Sequence, residues 1–540
     1  MSRVSLFILA FIMTVPASLA ARPVLAHGFE GRYDLPVPLW LYLYGSAAAV
    51  LLSFVVVGLF VGKEHSPHRY PRYNLLRIGV LRVLFESRAL RFALRLISVG
   101  LFLLLILTGF FGEQAPGYNF APTFVWIIWW VGFSFFVAFV GNLWPLLNPW
   151  KVLFEWADGL ARRLGMENGL ELEEPYPESW GVWPALALYF LFVWVELVFG
   201  GSPTPFNIAL LAVLYSLVTW AGMAVFGKEV WLRNGEPFSV FFGILAGFAP
   251  TEVRVTDSKL CRECESACGE GRECVNCYEC FGRAAPEDRE INVRPPAIGL
   301  ARAERVSVSR TAFVIFMLAS VTYDGLSATP LWNEVTALVV PITQSFGNLG
   351  NLVSGTLGLV VVPLLFLAVY LTFVWLSRLI GGGEAGVVRV AGAYAYSLVP
   401  IALVYQVAHY YTLFIFNGQI AIVQISDPFG WGWNLFGTAD YQINNAVLGA
   451  AFVWYSQVAL IVAGHVIAVY LAHAVALRLL DDSKRTQRSQ YPILMLMILY
   501  TVSSLWIISQ PIIDEDTAAV PPGEQAMLEP AERTTVRRLG

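Results

Sequence analysis

The chain has 540 residues, of which 57% are hydrophobic and 14% charged, and its formal net charge is -4. A soluble globular domain carries about 25% charged residues, so charge this sparse excludes a surface covered wholly by water and leaves lipid to cover much of the chain. The near balance of charge points to no nucleic-acid partner, and all six cysteines fall between 261 and 280, which excludes a disulfide framework elsewhere.

The first residues have the form of a signal peptide, 1–26. Arg3 opens it, an apolar run spans Val4 to Val15, and Val24, Leu25 and Ala26 precede a cleavage point that leaves His27 first; cleavage after Ala20 is the alternative. Apolar runs long enough to cross a bilayer follow at 39–61, 92–111, 122–144, 183–200, 206–226, 311–328, 351–378, 390–416, 447–477 and 491–513. They predict an all-α fold, a polytopic transmembrane helix bundle of about ten spans. It divides into an N-terminal membrane region (27–250), a cytoplasmic Cys-rich metal-binding loop (251–310), a C-terminal membrane region (311–513) and a disordered external tail (514–540). Tryptophan, tyrosine and phenylalanine are abundant enough for aromatic belts at both lipid interfaces.

Basic residues set the expected orientation. Lys63, Arg69, Arg72, Arg77, Arg82, Arg88 and Arg91 crowd one loop, the segment 227–310 is equally rich, and Arg478, Lys484, Arg485 and Arg488 follow the ninth span. The alternate loops near 112–121, 201–205, 329–350 and 417–446 carry no Lys or Arg. The positive-inside rule then places the mature N-terminus and the tail outside a bacterial cytoplasmic (inner) membrane, with the Cys loop in the cytoplasm. Residues 77–91 alternate Arg with Leu, Val and Phe as an amphipathic helix on the inner leaflet does, and 329–345 is expected on the outer face. An internal repeat is also visible. Pro149-Trp150-Lys151-Val152-Leu153-Phe154, continuing to Gly159 and Ala161, matches Pro237-Phe238-Ser239-Val240-Phe241-Phe242, continuing to Gly247 and Ala249, at one constant offset. The reading is a duplicated pair of spans, each ending in an inner-surface helix started by Pro.

The cysteines run Cys261-x2-Cys264-x3-Cys268-x5-Cys274-x2-Cys277-x2-Cys280. Thiolates at two-residue spacing grip one metal across a tight turn. Zinc takes four of them. An iron–sulfur cluster suits Cys274, Cys277 and Cys280, with Cys261, Cys264 or Cys268 supplying the ligand that Ala284 cannot. A metal-free or redox-sensing loop is the third reading.

Ionisable groups in hydrocarbon are costly and mark function or pairing. Glu196, Asp324, His409 and Gln457 fall at similar depth toward the outer ends of their spans, with Tyr405, Tyr410, Tyr411 and Tyr455 near them in sequence. Gln406 accompanies them, and His465 and His473 continue inward along the ninth span. Two carboxylates and a histidine suit a second divalent metal with an activated water; the same set suits proton or ion coupling. The plainer reading puts Glu196 and Asp324 in headgroup water and makes His409 a packed helix residue.

Several segments carry a resemblance: His27-Gly28 through Tyr33-Asp34-Leu35-Pro36-Val37-Pro38, Asp324-Gly325-Leu326-Ser327 with Thr329-Pro330-Leu331-Trp332, Ser397-Leu398-Val399-Pro400 to His409-Tyr410, and Gly464-His465-Val466. Together they resemble bacterial multi-pass membrane proteins called fenitrothion hydrolases, over most of the chain after the signal peptide. The resemblance implies hydrolysis of an organophosphate ester. Glu196, Asp324 and His409, with His465 as a further candidate catalytic residue, would hold a metal for attack on an apolar small-molecule substrate arriving through membrane lipid. Two other readings stand beside it: a transporter or subunit of a larger complex, from the duplication and buried acids, and a redox component carrying an iron–sulfur cluster. No Walker loop, Rossmann glycine pattern or His-Glu-x-x-His stretch is present.

Overall fold

The computed structural model describes residues 38–60, 70–167, 169–263, 274–301, 306–382, 385–480 and 483–510. The expected signal peptide, the His27 terminus and the external tail lie outside the described residues.

Every one of the ten apolar runs falls on a helix. In chain order the elements used below are α1 (Leu39–Phe60), α2 (Gly79–Glu86) and α3 (Arg88–Phe111). Next come α4 (Phe120–Phe139), α5 (Trp144–Leu147), α6 (Pro149–Arg163), α7 (Trp183–Leu197) and α8 (Pro205–Phe226). They are followed by α9 (Lys228–Asn234), α10 (Pro237–Leu245), α11 (Ser258–Glu263) and α12 (Tyr278–Arg283). The last are α13 (Val308–Ser327), α14 (Pro330–Thr343), α15 (Gly350–Gly381), α16 (Val387–Asn417), α17 (Ala450–Leu479) and α18 (Ser483–Ser509). Among the described residues nine helices are long and apolar enough to cross a membrane, and a tenth is reached if α13 and α14, bent by 89° between them, count as one broken span. The chain is an all-α polytopic helix bundle. Helices suit this setting because they satisfy their own backbone groups where no water can.

α13 and α16 are the most enclosed elements, buried along most of their length, whereas α1 packs on α17 and α18 and leaves most of its surface free. α2 has no buried residue; Val80 and Val83 face outward beside Arg82, the arrangement of a helix lying in a lipid interface.

The two repeated segments are built alike. Each follows a long helix and a short one, and each starts with Pro in the first turn, where its missing N–H costs nothing. Each is capped by the preceding side chain: Asn148 Oδ1 accepts from the Lys151 amide at 3.1 Å, and Glu236 accepts from the Ser239 and Phe238 amides at 2.7 and 3.1 Å. Trp150 and Phe238, Val152 and Val240, Phe154 and Phe242 are buried in pairs. The copies differ in depth. α6 exposes Leu160 and Trp156 on its outer side, whereas α10 is buried except along the strip of Ser239 and Gly243 and is more enclosed than the surface helix expected from sequence. Its rings join an aromatic core with Trp129 (4.5 Å from Phe238) and Trp130 (5.0 Å from Phe241), in the edge-on and tilted geometries that aromatic pairs favour.

The segment read as a plain loop contains a four-stranded antiparallel sheet in the order β1-β4-β2-β3: β1 (Tyr73–Asn74), β2 (Thr251–Val255), β3 (Cys274–Val275) and β4 (Arg289–Val293). β1 comes from the first basic loop, so the sheet joins two loops far apart in sequence; Tyr73 pairs with Val293 and Val253 with Ile291. Beneath it, Arg294 Nη1 meets Glu252 Oε2 at 2.8 Å with both side chains fully buried. Tyr70 donates to the same oxygen at 2.6 Å, and Arg72 lies 3.1 Å from Oε1. Arg294 also donates to the carbonyls of Ala246 and Ala249 at 2.8 and 3.1 Å. It thereby fastens the sheet to the chain leaving α10. Glu252→Ala strands a buried guanidinium and should cost about 3–5 kcal/mol, read as a lowered thermal midpoint in detergent. A loss under about 1 kcal/mol, the range of a surface pair, would show that the pair does not hold the sheet in place.

Candidate functional site

Three polar side chains expected to share a depth do meet, between the two membrane regions. Glu196 stands in the last turn of α7, Asp324 in the last turn of α13, and His409 within α16. His409 Nε2 lies 2.8 Å from Asp324 Oδ2, and the Tyr410 hydroxyl donates to the same oxygen at 2.6 Å. Tyr410 and Glu196 line one cavity, and the Glu196 Oε1 accepts from Trp130 Nε1 at 2.8 Å. The result is one line of polar groups: Trp130, Glu196, Tyr410, Asp324, His409. The Asp324 and His409 side chains keep 11% and 10% of their exposure, so the line is enclosed without being sealed.

Beside it is a cavity lined by Trp130, Tyr189, Glu196, Ser320, Gln406 and Tyr410, with about 20 Å³ open to the centre of a water molecule. That volume admits a water and little more. The Gln406 amide nitrogen is enclosed there with no hydrogen-bond partner, so the cavity presents a donor as well as a carboxylate. Trp130 belongs to a π-wound stretch, Thr123–Phe133, within α4; this winding is rare and concentrates at functional sites. Sequence reading missed Trp130 and Tyr189, which sit among many aromatics in apolar runs with nothing to set them apart. Tyr410 was marked only by its place next to His409.

The other expected residues go elsewhere. Gln457 donates to the Ala408 carbonyl at 3.0 Å and ties α17 to α16. His465 is buried in α17 with Nδ1 2.8 Å from the Ile461 carbonyl, and it is not hydrogen-bonded to the cluster. His473 Nδ1 meets Gln490 Oε1 at 2.7 Å.

Four of the cysteines are described. Cys274 and Cys280 are buried with Val255 and Ala284 in a small core under the sheet, and Cys261 and Cys277 pack against it. Asn276, between Cys274 and Cys277, has φ 56°, a tight left-handed turn. Cys264 and Cys268 lie outside the described residues. Among the described residues no group of three or more His, Cys, Asp or Glu side chains is arranged to hold a metal ion.

No protein-family model, curated protein or solved structure matches this chain. Its own geometry defines it as a multi-pass helical membrane protein with a polar cluster between two helical halves.

Gly325, next to Asp324, is required by packing. A Cβ there would lie 2.4 Å from the Tyr405 hydroxyl and 2.9 Å from Ile507 Cγ2. Gly325→Ala should therefore destabilise the protein by about 1–3 kcal/mol, measured by thermal unfolding. An unchanged midpoint would show that the helices part there at no cost.

Proposed function

We propose that this chain is a membrane transporter, or the transporting subunit of a larger complex, in which Glu196, Tyr410, Asp324 and His409 take up and release a proton. The observation that carries the reading is the Tyr410 hydroxyl, bonded to Asp324 and lining one cavity with Glu196. A tyrosine hydroxyl owns one hydrogen. When Tyr410 gives it to Asp324, it offers only lone pairs to Glu196, and that contact is favourable when Glu196 carries a proton. When Tyr410 turns to Glu196, the proton is better held on the Asp324 and His409 side. One proton thus has two positions, joined by the turn of a single hydroxyl, beside a cavity the size of a water molecule. Acids held this way inside a membrane are the usual components of proton relays, and a site between two membrane regions, one carrying a duplication, is where transporters place theirs.

The hydrolase reading has less support. Attack on an aryl phosphate ester places the substrate's phosphorus beside the activated water, and binding pockets for molecules of that size run to about 300–1,000 Å³. The cavity here has room for about one water.

The test is proton flux into proteoliposomes, driven by a potassium diffusion potential and followed by an entrapped pH dye. Asp324→Asn should lower it on the order of a hundredfold, as loss of a positioned proton carrier does, and Glu196→Gln should do the same. Flux that survives both substitutions rules out the cluster as the proton site.

For the cysteines we propose a thiolate-bound metal, zinc or an iron–sulfur cluster, supported by the left-handed turn at Asn276 between two thiols and by the gathering of Cys261, Cys274, Cys277 and Cys280 at one core. The site would draw on Cys264 or Cys268 as well. Metal analysis and an absorption spectrum of anaerobically purified protein should find zinc, or iron with a broad visible band. Joint substitution of Cys274, Cys277 and Cys280 by Ser should remove it. Metal-free wild-type protein would make the thiols packing residues only.

A further inference from the structure

His465 is a buried titratable group that the proposed site does not use. It is 1% exposed and stands near the middle of α17. Its Nδ1 faces the Ile461 carbonyl. A carbonyl only accepts, so Nδ1 carries the hydrogen and Nε2 of the neutral ring is an acceptor. That nitrogen is enclosed and has no partner. A buried acceptor left unmet costs about 1–3 kcal/mol, and keeping a histidine here, where a leucine would pack at no such cost, calls for a function.

Tyr405 repeats the pattern one turn from His409. It is 1% exposed, its hydroxyl is enclosed without a partner, and its ring stacks on His409 at 6.0 Å and 13°. The two orphans lie close in height in the bundle: Gly464 packs on Val404, the helices run antiparallel, and Tyr405 and His465 stand one residue to either side of that contact, about 3 Å apart along the axis at 1.5 Å per residue. Further down α17, His473 and Gln490 form the next polar pair, eight residues or about 12 Å beyond His465 at 1.5 Å per residue, near Arg478 in the last turn.

We propose that Tyr405 and His465 are stations of a proton path that leads from the Asp324–His409 end of the cluster to His473 and Gln490 at the opposite end of α17, with buried water bridging the gaps. The proposal rests on the reading of the cluster as a proton site. At His465, Nε2 takes a proton from one water and the ring becomes imidazolium, with the Nδ1–H still on Ile461. Nε2 then returns the proton to the next water, so only O–H and N–H bonds form and break and charge is conserved.

Four proteins in the flux assay decide it: wild type, Asp324→Asn, His465→Asn and Tyr405→Phe. Asn keeps a donor for the Ile461 carbonyl and removes Nε2; Phe removes one oxygen. His465→Asn should lower flux on the order of a hundredfold and Tyr405→Phe about tenfold, with thermal midpoints near wild type. If His465→Asn does not fold, Tyr405→Phe carries the test alone. Flux lost in Asp324→Asn but retained in His465→Asn and Tyr405→Phe overturns the path and leaves the cluster standing. Flux retained in Asp324→Asn, or absent from wild type, overturns both.

Discussion

A carboxylate enclosed by apolar protein has to bring its donors with it, because no water is at hand to supply them, and three such carboxylates organise this chain. Glu236 takes two backbone amides at the start of α10 and a hydroxyl from Tyr215 on α8. Glu252 takes Arg294 and Tyr70 under the sheet. Asp324 takes His409 and Tyr410. Each draws together segments far apart in sequence, so meeting the needs of three acids sets much of the tertiary arrangement. The first two each pair a tyrosine with donors that stay put, backbone amides for Glu236 and a guanidinium for Glu252. Asp324 is different. It alone of the three takes a histidine, a side chain that passes a proton at neutral pH, and a second acid, Glu196, lines one cavity with its tyrosine partner.

The same contrast separates the two copies of the repeat. In the first, Asn148 caps a helix whose outward positions include Glu155, Trp156 and Asp158, and Asp158 binds Arg162 at 2.9 Å in the open. In the second, the matching positions are Gly243, Ile244 and Ala246, and the helix sinks into an aromatic core. The two segments share a Pro start and a side-chain cap, and only the first has a polar face. The second is the wall against which Trp130 and Tyr189 pack, and these two residues line the cavity.

The polar file along α16 and α17 follows from the same economy of partners. Most buried polar groups near it bond to a carbonyl one turn away, as Thr322 does to Leu318 and Thr501 to Met497. Tyr405, Gln406 and His465 each keep an enclosed atom with no such bond; the first two belong to α16, which carries His409, and the third to α17, which packs on α16.

Sequence alone determined the helices and their number, because the thickness of hydrocarbon sets the length of an apolar run and charge cannot hide within it. It also placed Glu196, Asp324 and His409 at one depth, since depth follows from counting residues from a span's end at a fixed rise. Rotation about the helix axis does not follow from counting. Gln457 shares the depth and turns to the Ala408 carbonyl, Tyr410 turns inward to bridge two acids, and His465 turns away to Ile461; only packing against neighbouring helices decides these. The sheet was equally out of reach. β1 is two residues long and its partner lies more than two hundred residues away, and β2 to β4 are at most five residues each, so no local periodicity marked them. The pairing is accompanied by the buried Glu252–Arg294 contact, which the folded chain alone creates.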